Sequence, residues 1–166
     1  CRKLLKQIGI DPRRLRLEFV SASQGARFAD VVTDFTRQLK ELGPIGIDLA
    51  KDGHRLGLRV KLEALQSLIP YIKLVERERL RVHFNTEEEY HKFFNSDIVN
   101  RLFKELIIDK LATKQIMLLL REKPLSTEEI AETLDLTPSE VSRYLSSSTK
   151  EGLVRFDESQ KVFAHV

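Results

Sequence analysis

The chain has 166 residues, 42% of them hydrophobic and 32% charged, with a formal net charge of +3. That balance describes a globular chain rather than a disordered one, long enough for one good core or two small ones. No apolar run approaches the ~20 residues that a membrane-spanning helix needs, and a single cysteine excludes an internal disulfide and a closed cysteine metal site.

Residues 2–9 read as the end of a helix, with Leu4, Leu5 and Ile8 on one face and Gly9 as its stop. Because the chain opens at Cys1 inside that pattern, a fragment of a longer protein is expected. Asp11-Pro12 marks a turn. Leu15, Leu17 and Phe19 then alternate with Arg16 and Glu18, the pattern of a half-buried strand. Gly25 to Leu42 is expected to be helical, with Phe28, Val31, Val32, Phe35 and Leu39 at near-helical spacing, and Gly43-Pro44 ends it. Helix, strand and helix joined this tightly make a piece of an α/β layer. A lone strand cannot satisfy its own edges, so the rest of its sheet is expected outside this stretch.

Residues 44–56, with Gly46 and Gly53, read as a linker or docking segment. A long helix is expected from about Leu58 to Val82, bent at Pro70. Asn85 to Glu89 holds an N-cap signal ahead of Tyr90, Phe93 and Phe94. Ser96-Asp97 opens a further helix carrying Ile98, Leu102, Phe103, Leu106 and Ile107.

From Ala112 the order of elements becomes more specific. Thr113 to Glu122 predicts a helix with Ile116, Leu119 and Leu120 inward, stopped by Pro124. Ser126-Thr127-Glu128-Glu129 is a capping box, in which the hydroxyl accepts from an early backbone N–H and the glutamate reaches back. Thr137-Pro138-Ser139-Glu140 repeats it 11 residues later, with proline where no N–H is needed. Ile130 and Leu134 face the core from the first of these helices, and Val141, Tyr144 and Leu145 from the second. Leu153 to Phe156 and Lys161 to Val166 then predict a hairpin around Asp157 to Gln160. Helix, helix, helix and hairpin is the order of a winged helix-turn-helix.

As a DNA reader, this module would present Ser139, Ser142, Arg143 and Ser146 to the major groove, with Lys150, Arg155 and Lys161 near phosphates. Its charge argues against that use. Residues 112–166 carry 7 Lys+Arg against 9 Asp+Glu, whereas residues 1–111 carry 21 against 16. Duplex binding rests on cations meeting phosphates, so an acidic module is poorly equipped for it. The same face would serve docking onto a protein partner.

Elsewhere the chemistry is sparse. Arg13, Arg14 and Arg16 with Arg2, Lys3 and Lys6 form a basic cluster, read either as a contact surface or as a solvated face. Ser21 and Ser23 stand where a strand meets a helix, as phosphate ligands or as caps of the helix from Gly25. His54, His83, His91 and His165 share no metal-ligand spacing. There is no nucleophile elbow, phosphate loop or carboxylate pair, so no catalytic side chain is nominated.

Gly9–Pro12, Leu15–Glu18, Val20–Gly25, Phe28-Ala29 and Leu42–Pro44 together resemble the C-terminal stretch of the delta subunit of methyl-viologen-reducing hydrogenase, the non-F420-reducing type. The hallmarks are the Gly-Ile-Asp-Pro turn, the Arg-Leu-Arg-Leu-Glu strand, Val-Ser-Ala-Ser-x-Gly and a helix ending Leu-Gly-Pro. The resemblance covers about the first quarter of the chain. It implies a small iron–sulfur subunit that relays electrons between a hydrogenase or formate dehydrogenase and a heterodisulfide-reductase-type flavoprotein subunit. It also implies that the [2Fe-2S] ligands lie in an α/β domain upstream of the matched stretch, with Cys1 at its edge as the one candidate metal ligand here. The simplest members end near Leu-Gly-Pro, whereas this chain continues for about 120 residues.

The reading is mixed α/β, then mainly α. Residues 1–43 are the C-terminal part of the delta-subunit α/β domain, 44–111 a helical connector and 112–166 a winged helix-turn-helix. The expected function is that of a fragment of a cytoplasmic iron–sulfur electron-transfer subunit whose winged helix docks a partner through Ser139, Ser142, Arg143, Ser146 and Lys150. The alternative is a winged-helix transcriptional regulator. No membrane association is expected.

Overall fold

The computed structural model describes residues 2–45 and 52–166. Cys1, the candidate metal ligand, and Gly46 of the expected linker lie outside them. The described chain is mostly helical with one small antiparallel sheet, and it divides into two units, Cys1–Leu58 and Arg59–Val166.

In the first unit, α1 (Arg2–Gln7) ends at Gly9, whose φ of 78° is the left-handed turn that a Cβ would strain. The Gly9 N–H reaches the Lys6 carbonyl and the Ile10 N–H the Leu5 carbonyl, a Schellman stop. A 3-10 turn, Pro12–Arg14, follows, capped by the Asp11 carboxylate on the Arg13 N–H at 2.8 Å. Helix α2 (Gly25–Leu42) is tied to that turn. Arg14 Nη2 donates to the Leu42 carbonyl at 2.9 Å, and Gln38 Nε2 to the Arg13 carbonyl at 2.7 Å.

Residues 15–20 differ from expectation. They are in no strand, and Leu17 and Phe19 are 75% and 83% exposed. The alternation that suggested a strand is there, but a ladder needs a neighbour, and the described residues supply none. The serines do not cap α2 either. Gln24 holds the N-cap position without a side-chain bond; its Oε1 instead accepts from the Ser21 N–H at 3.3 Å, and Ser21 Oγ and Ser23 Oγ lie 3.1 Å apart.

Helix α3 (Asp52–Arg79) begins earlier than its periodicity suggested and takes Gly53 and Gly57 into its first turns, with Pro70 inside it. In the second unit α3 buries Val60, Ala64 and Val75. Helix α4 (Glu87–Phe94) starts from a complete Thr86–Glu89 capping box. Its aromatics gather with Phe84, whose ring meets Tyr90 edge-on with centroids 5.2 Å apart.

Helices α5 (Asp97–Phe103) and α6 (Asp109–Glu122) join through a π turn, Lys104–Ile108, with right-handed helical backbone throughout, so no break falls at 111–112. Within this run Ile98 is exposed while Val99, Ile107 and Leu111 are buried. Of the two adjacent apolar residues, it is Val99 and not Ile98 that shares the inward face with Ile107 and Leu111. The π turn shifts the register.

The C-terminal elements follow the expected order. Helices α7 (Thr127–Leu134) and α8 (Pro138–Lys150) both start from complete capping boxes, Ser126 with Glu129 and Thr137 with Glu140. The turn between them passes through Asp135 at φ 56°, a left-handed position that aspartate tolerates better than most residues. Strands β1 (Val154–Asp157) and β2 (Val162–His165) pair antiparallel, with Phe156 opposite Phe163. Leu125 bridges the other edge of β2, its N–H and carbonyl bonding Phe163 at 3.0 and 2.8 Å. Ile116, Leu119, Leu120, Ile130, Leu134, Val141 and Leu145 are buried, the inward set that the spacing predicted.

Candidate functional site

The outward face of α8 is the one place where the expected contact residues come together. Capping fixes its start, and burial of Val141, Tyr144, Leu145 and Ser148 fixes its rotation. Ser139, Ser142, Arg143, Ser146 and Lys150 are consequently all exposed on the opposite side, at the three- and four-residue spacings of one helix face. Arg155 and Lys161 are exposed on the hairpin beyond.

Arg143 does not stand free on that face. Its guanidinium lies 4.6 Å over the Tyr144 ring, a cation–π contact, and its Nη2 donates to Asp109 Oδ1 at 3.4 Å. The same carboxylate oxygen accepts from the Tyr144 hydroxyl at 2.7 Å and from Lys104 Nζ at 2.8 Å. Partial burial alone would raise the Asp109 carboxyl, but the Lys104 and Tyr144 hydrogen bonds and the charges of Lys104 and Arg143 outweigh it and hold it below its ordinary value. Burial, then the bond to Asp109, pushes the Tyr144 phenol up.

Asp109, Lys104 and the Tyr144 hydroxyl were not singled out in the sequence. Lys104 and Asp109 are five apart, a spacing that a regular α-helix does not bring together and a π turn does. No sequence signal joins Asp109 to a tyrosine 35 residues on.

These carboxylates set an acid limit. Asp109, Glu129 and Glu140 all titrate below their ordinary values; backbone and side-chain bonds from Ser126 and Thr137 lower the two glutamates. A lowered folded-state pKa gives stability that is whole above the unfolded value, near ~4, and is lost as the pH falls through the folded one. The urea midpoint of the full chain should therefore be flat above about pH 5 and fall below about pH 4. Asp109→Asn should lose less on acidification than wild type; an equal loss would remove Asp109 from the account.

The basic cluster of the first unit is largely engaged. Arg13 chelates Asp11 through bonds of 2.7–3.1 Å, and Arg16 Nε meets Glu18 at 3.1 Å. Arg2, Arg13 and Arg16 line a half-open groove of about 310 Å³ whose wall includes Leu15 and Leu17. With Asp11 and Glu18 already on two of its three guanidinium groups, the groove is not built for an anion.

No three His, Cys, Asp or Glu side chains converge into a metal site among the described residues. An iron–sulfur cluster takes four cysteine thiolates, or two with two imidazoles, and this sequence has one cysteine. These residues do not fit such a group by themselves.

Residues 1–43 match the family model described as methyl-viologen-reducing hydrogenase, delta subunit. Residues 114–155 match the family model described as bacterial regulatory protein, arsR family, which fits the winged-helix-like arrangement of α6, α7, α8 and β1. Among known proteins, a subunit of the ferredoxin:CoB-CoM heterodisulfide reductase of Methanosarcina mazei is 42% identical over 57 residues, 34% of this chain and 7% of that protein. An iron-sulfur subunit of the F420-non-reducing hydrogenase of Archaeoglobus profundus is 50% identical over 42 residues, 25% of this chain and 31% of that protein. Its counterpart from Methanopyrus kandleri, an iron-sulfur subunit of the F420-non-reducing hydrogenase vhu, is 36% identical over 45 residues, 27% and 34% of the two chains. The chain thus spans from under a tenth to about a third of the relatives it matches. No solved structure matches it. No helix among the described residues is long and apolar enough to cross a membrane.

Proposed function

We propose that this chain is part of a cytoplasmic iron–sulfur electron-transfer subunit that links a hydrogenase or formate dehydrogenase to heterodisulfide reductase. One observation carries the reading. Parts of this chain match both a far longer heterodisulfide reductase polypeptide and separate hydrogenase iron-sulfur subunits. A chain that shares sequence with components of both complexes is suited to working between them.

On this reading residues 1–43 complete the sheet of an α/β domain, which gives the exposed Leu15, Leu17 and Phe19 their cover. A [2Fe-2S] cluster is held by ligands outside these 166 residues, since one cysteine cannot supply them. Residues 44–111 connect, and residues 112–166 form a winged helix that docks a partner through the exposed face of α8. Co-expression of the tagged chain with a heterodisulfide-reductase-type flavoprotein tests this. The two should co-purify, and removal of residues 112–166 should abolish the association. Association that survives the deletion would count against docking by this module.

The arsR-family match favours a second reading, a DNA-binding regulator that uses Ser139, Ser142, Arg143 and Lys150. Such binding would weaken steeply with salt and on Arg143→Ala. No measurable binding to duplex at low salt would sink it.

A further inference from the structure

We propose that Asp109 is an internal counter-anion that masks Arg143 and keeps the exposed face of α8 off nucleic acid. The inference rests on the reading that this helix docks protein, and it names the device that separates the two uses.

A helix-turn-helix holds duplex through cations that meet phosphates, and α8 has two, Arg143 and Lys150. Arg143 is turned aside, over the Tyr144 ring and onto Asp109 Oδ1. Asp109 cannot swing away to release it, because the Tyr144 hydroxyl at 2.7 Å and Lys104 Nζ at 2.8 Å pin the same oxygen. A phosphate approaching Arg143 would meet a fixed carboxylate beside it and would have to displace one charge with another. The same carboxylate engages Lys104, a second cation bordering the face. Asp109 and Arg143 are 34 residues apart, so the fold itself assembles the mask.

The test is binding of the full chain to a short fluorescent duplex of random sequence, followed by polarisation across a salt series. Wild type should bind weakly. Asp109→Asn should bind about tenfold tighter at low salt, with a salt dependence steeper by about one counter-ion, and Asp109→Asn/Arg143→Ala should lose that gain. Tyr144→Phe removes one of the two bonds that pin Asp109 but keeps its charge and the Lys104 bond, so it should gain clearly less than Asp109→Asn. An Asp109→Asn protein that is folded by circular dichroism yet binds no better than wild type overturns the mask and leaves the docking reading standing. An equal gain in Tyr144→Phe and Asp109→Asn also overturns it, because loosened packing would then be the cause. Tight wild-type binding that is lost in Arg143→Ala overturns both.

Discussion

Leu145→Ala should remove roughly 2–5 kcal/mol of stability from the Arg59–Val166 unit, and Ser142→Ala, three residues away, about 0.5 kcal/mol at most. Leu145 is fully buried, and α8 packs on α6, α7 and β1, so truncation leaves a cavity where three elements meet. Ser142 is exposed and has no part in that packing. Urea unfolding of the two variants measures the contrast. Equal losses would mean that the rotation of α8 is misassigned, and with it the face offered to a partner. The pair also guards the binding experiments, since a contact variant on the Ser142 side reports on binding only if the Leu145 side still holds the helix in place.

What the sequence made legible was local. Each capping box joins a hydroxyl and a glutamate three residues apart, and Ser126–Glu129 and Thr137–Glu140 are present as their spacing requires. The inward residues of α6, α7 and α8 recur at helical spacing, and that is enough to find one face. Four features depended on more than spacing. The Leu125 bridge to Phe163 joins residues 38 apart, and the Asp109 cluster joins α6 to α8. Leu15 to Phe19 alternates as a strand does, but a strand is defined by its neighbour. Ile98 and Val99 are adjacent apolar residues, and packing rather than spacing decides that Val99 is the inward one. The candidate contact residues were found because they lie on the face opposite a readable core. What restrains Arg143 was not, because a carboxylate distant in sequence leaves no periodic mark.

Deleting Glu105 should be tolerated, whereas deleting Thr113 should unfold the C-terminal helices. Val99 and Phe103, then Ile107 and Leu111, follow one another in steps of four. In a regular α-helix each such step overshoots a full turn by about 40°, so three in succession would carry Leu111 about 120° from Val99. Both are nevertheless buried, because the π turn at Lys104–Ile108 absorbs the excess. Glu105 is exposed and lies inside that turn. Its removal leaves steps of four, three and four, which a plain α-helix keeps on one face, and it brings Lys104 and Asp109 to a four-residue spacing at which an ion pair still forms. Thr113 sits in regular α-helix. Its loss would turn Ile116, Leu119 and Leu120 by about 100° relative to Leu111 and Ala112, exposing the residues that the three C-terminal helices share. Far-ultraviolet circular dichroism with thermal unfolding separates the two variants. Equal damage from both deletions would mean that the π turn is not an inserted residue in an otherwise continuous helix, and that the connector and the helix-turn-helix are held in register by something other than the stripe from Val99 to Leu111.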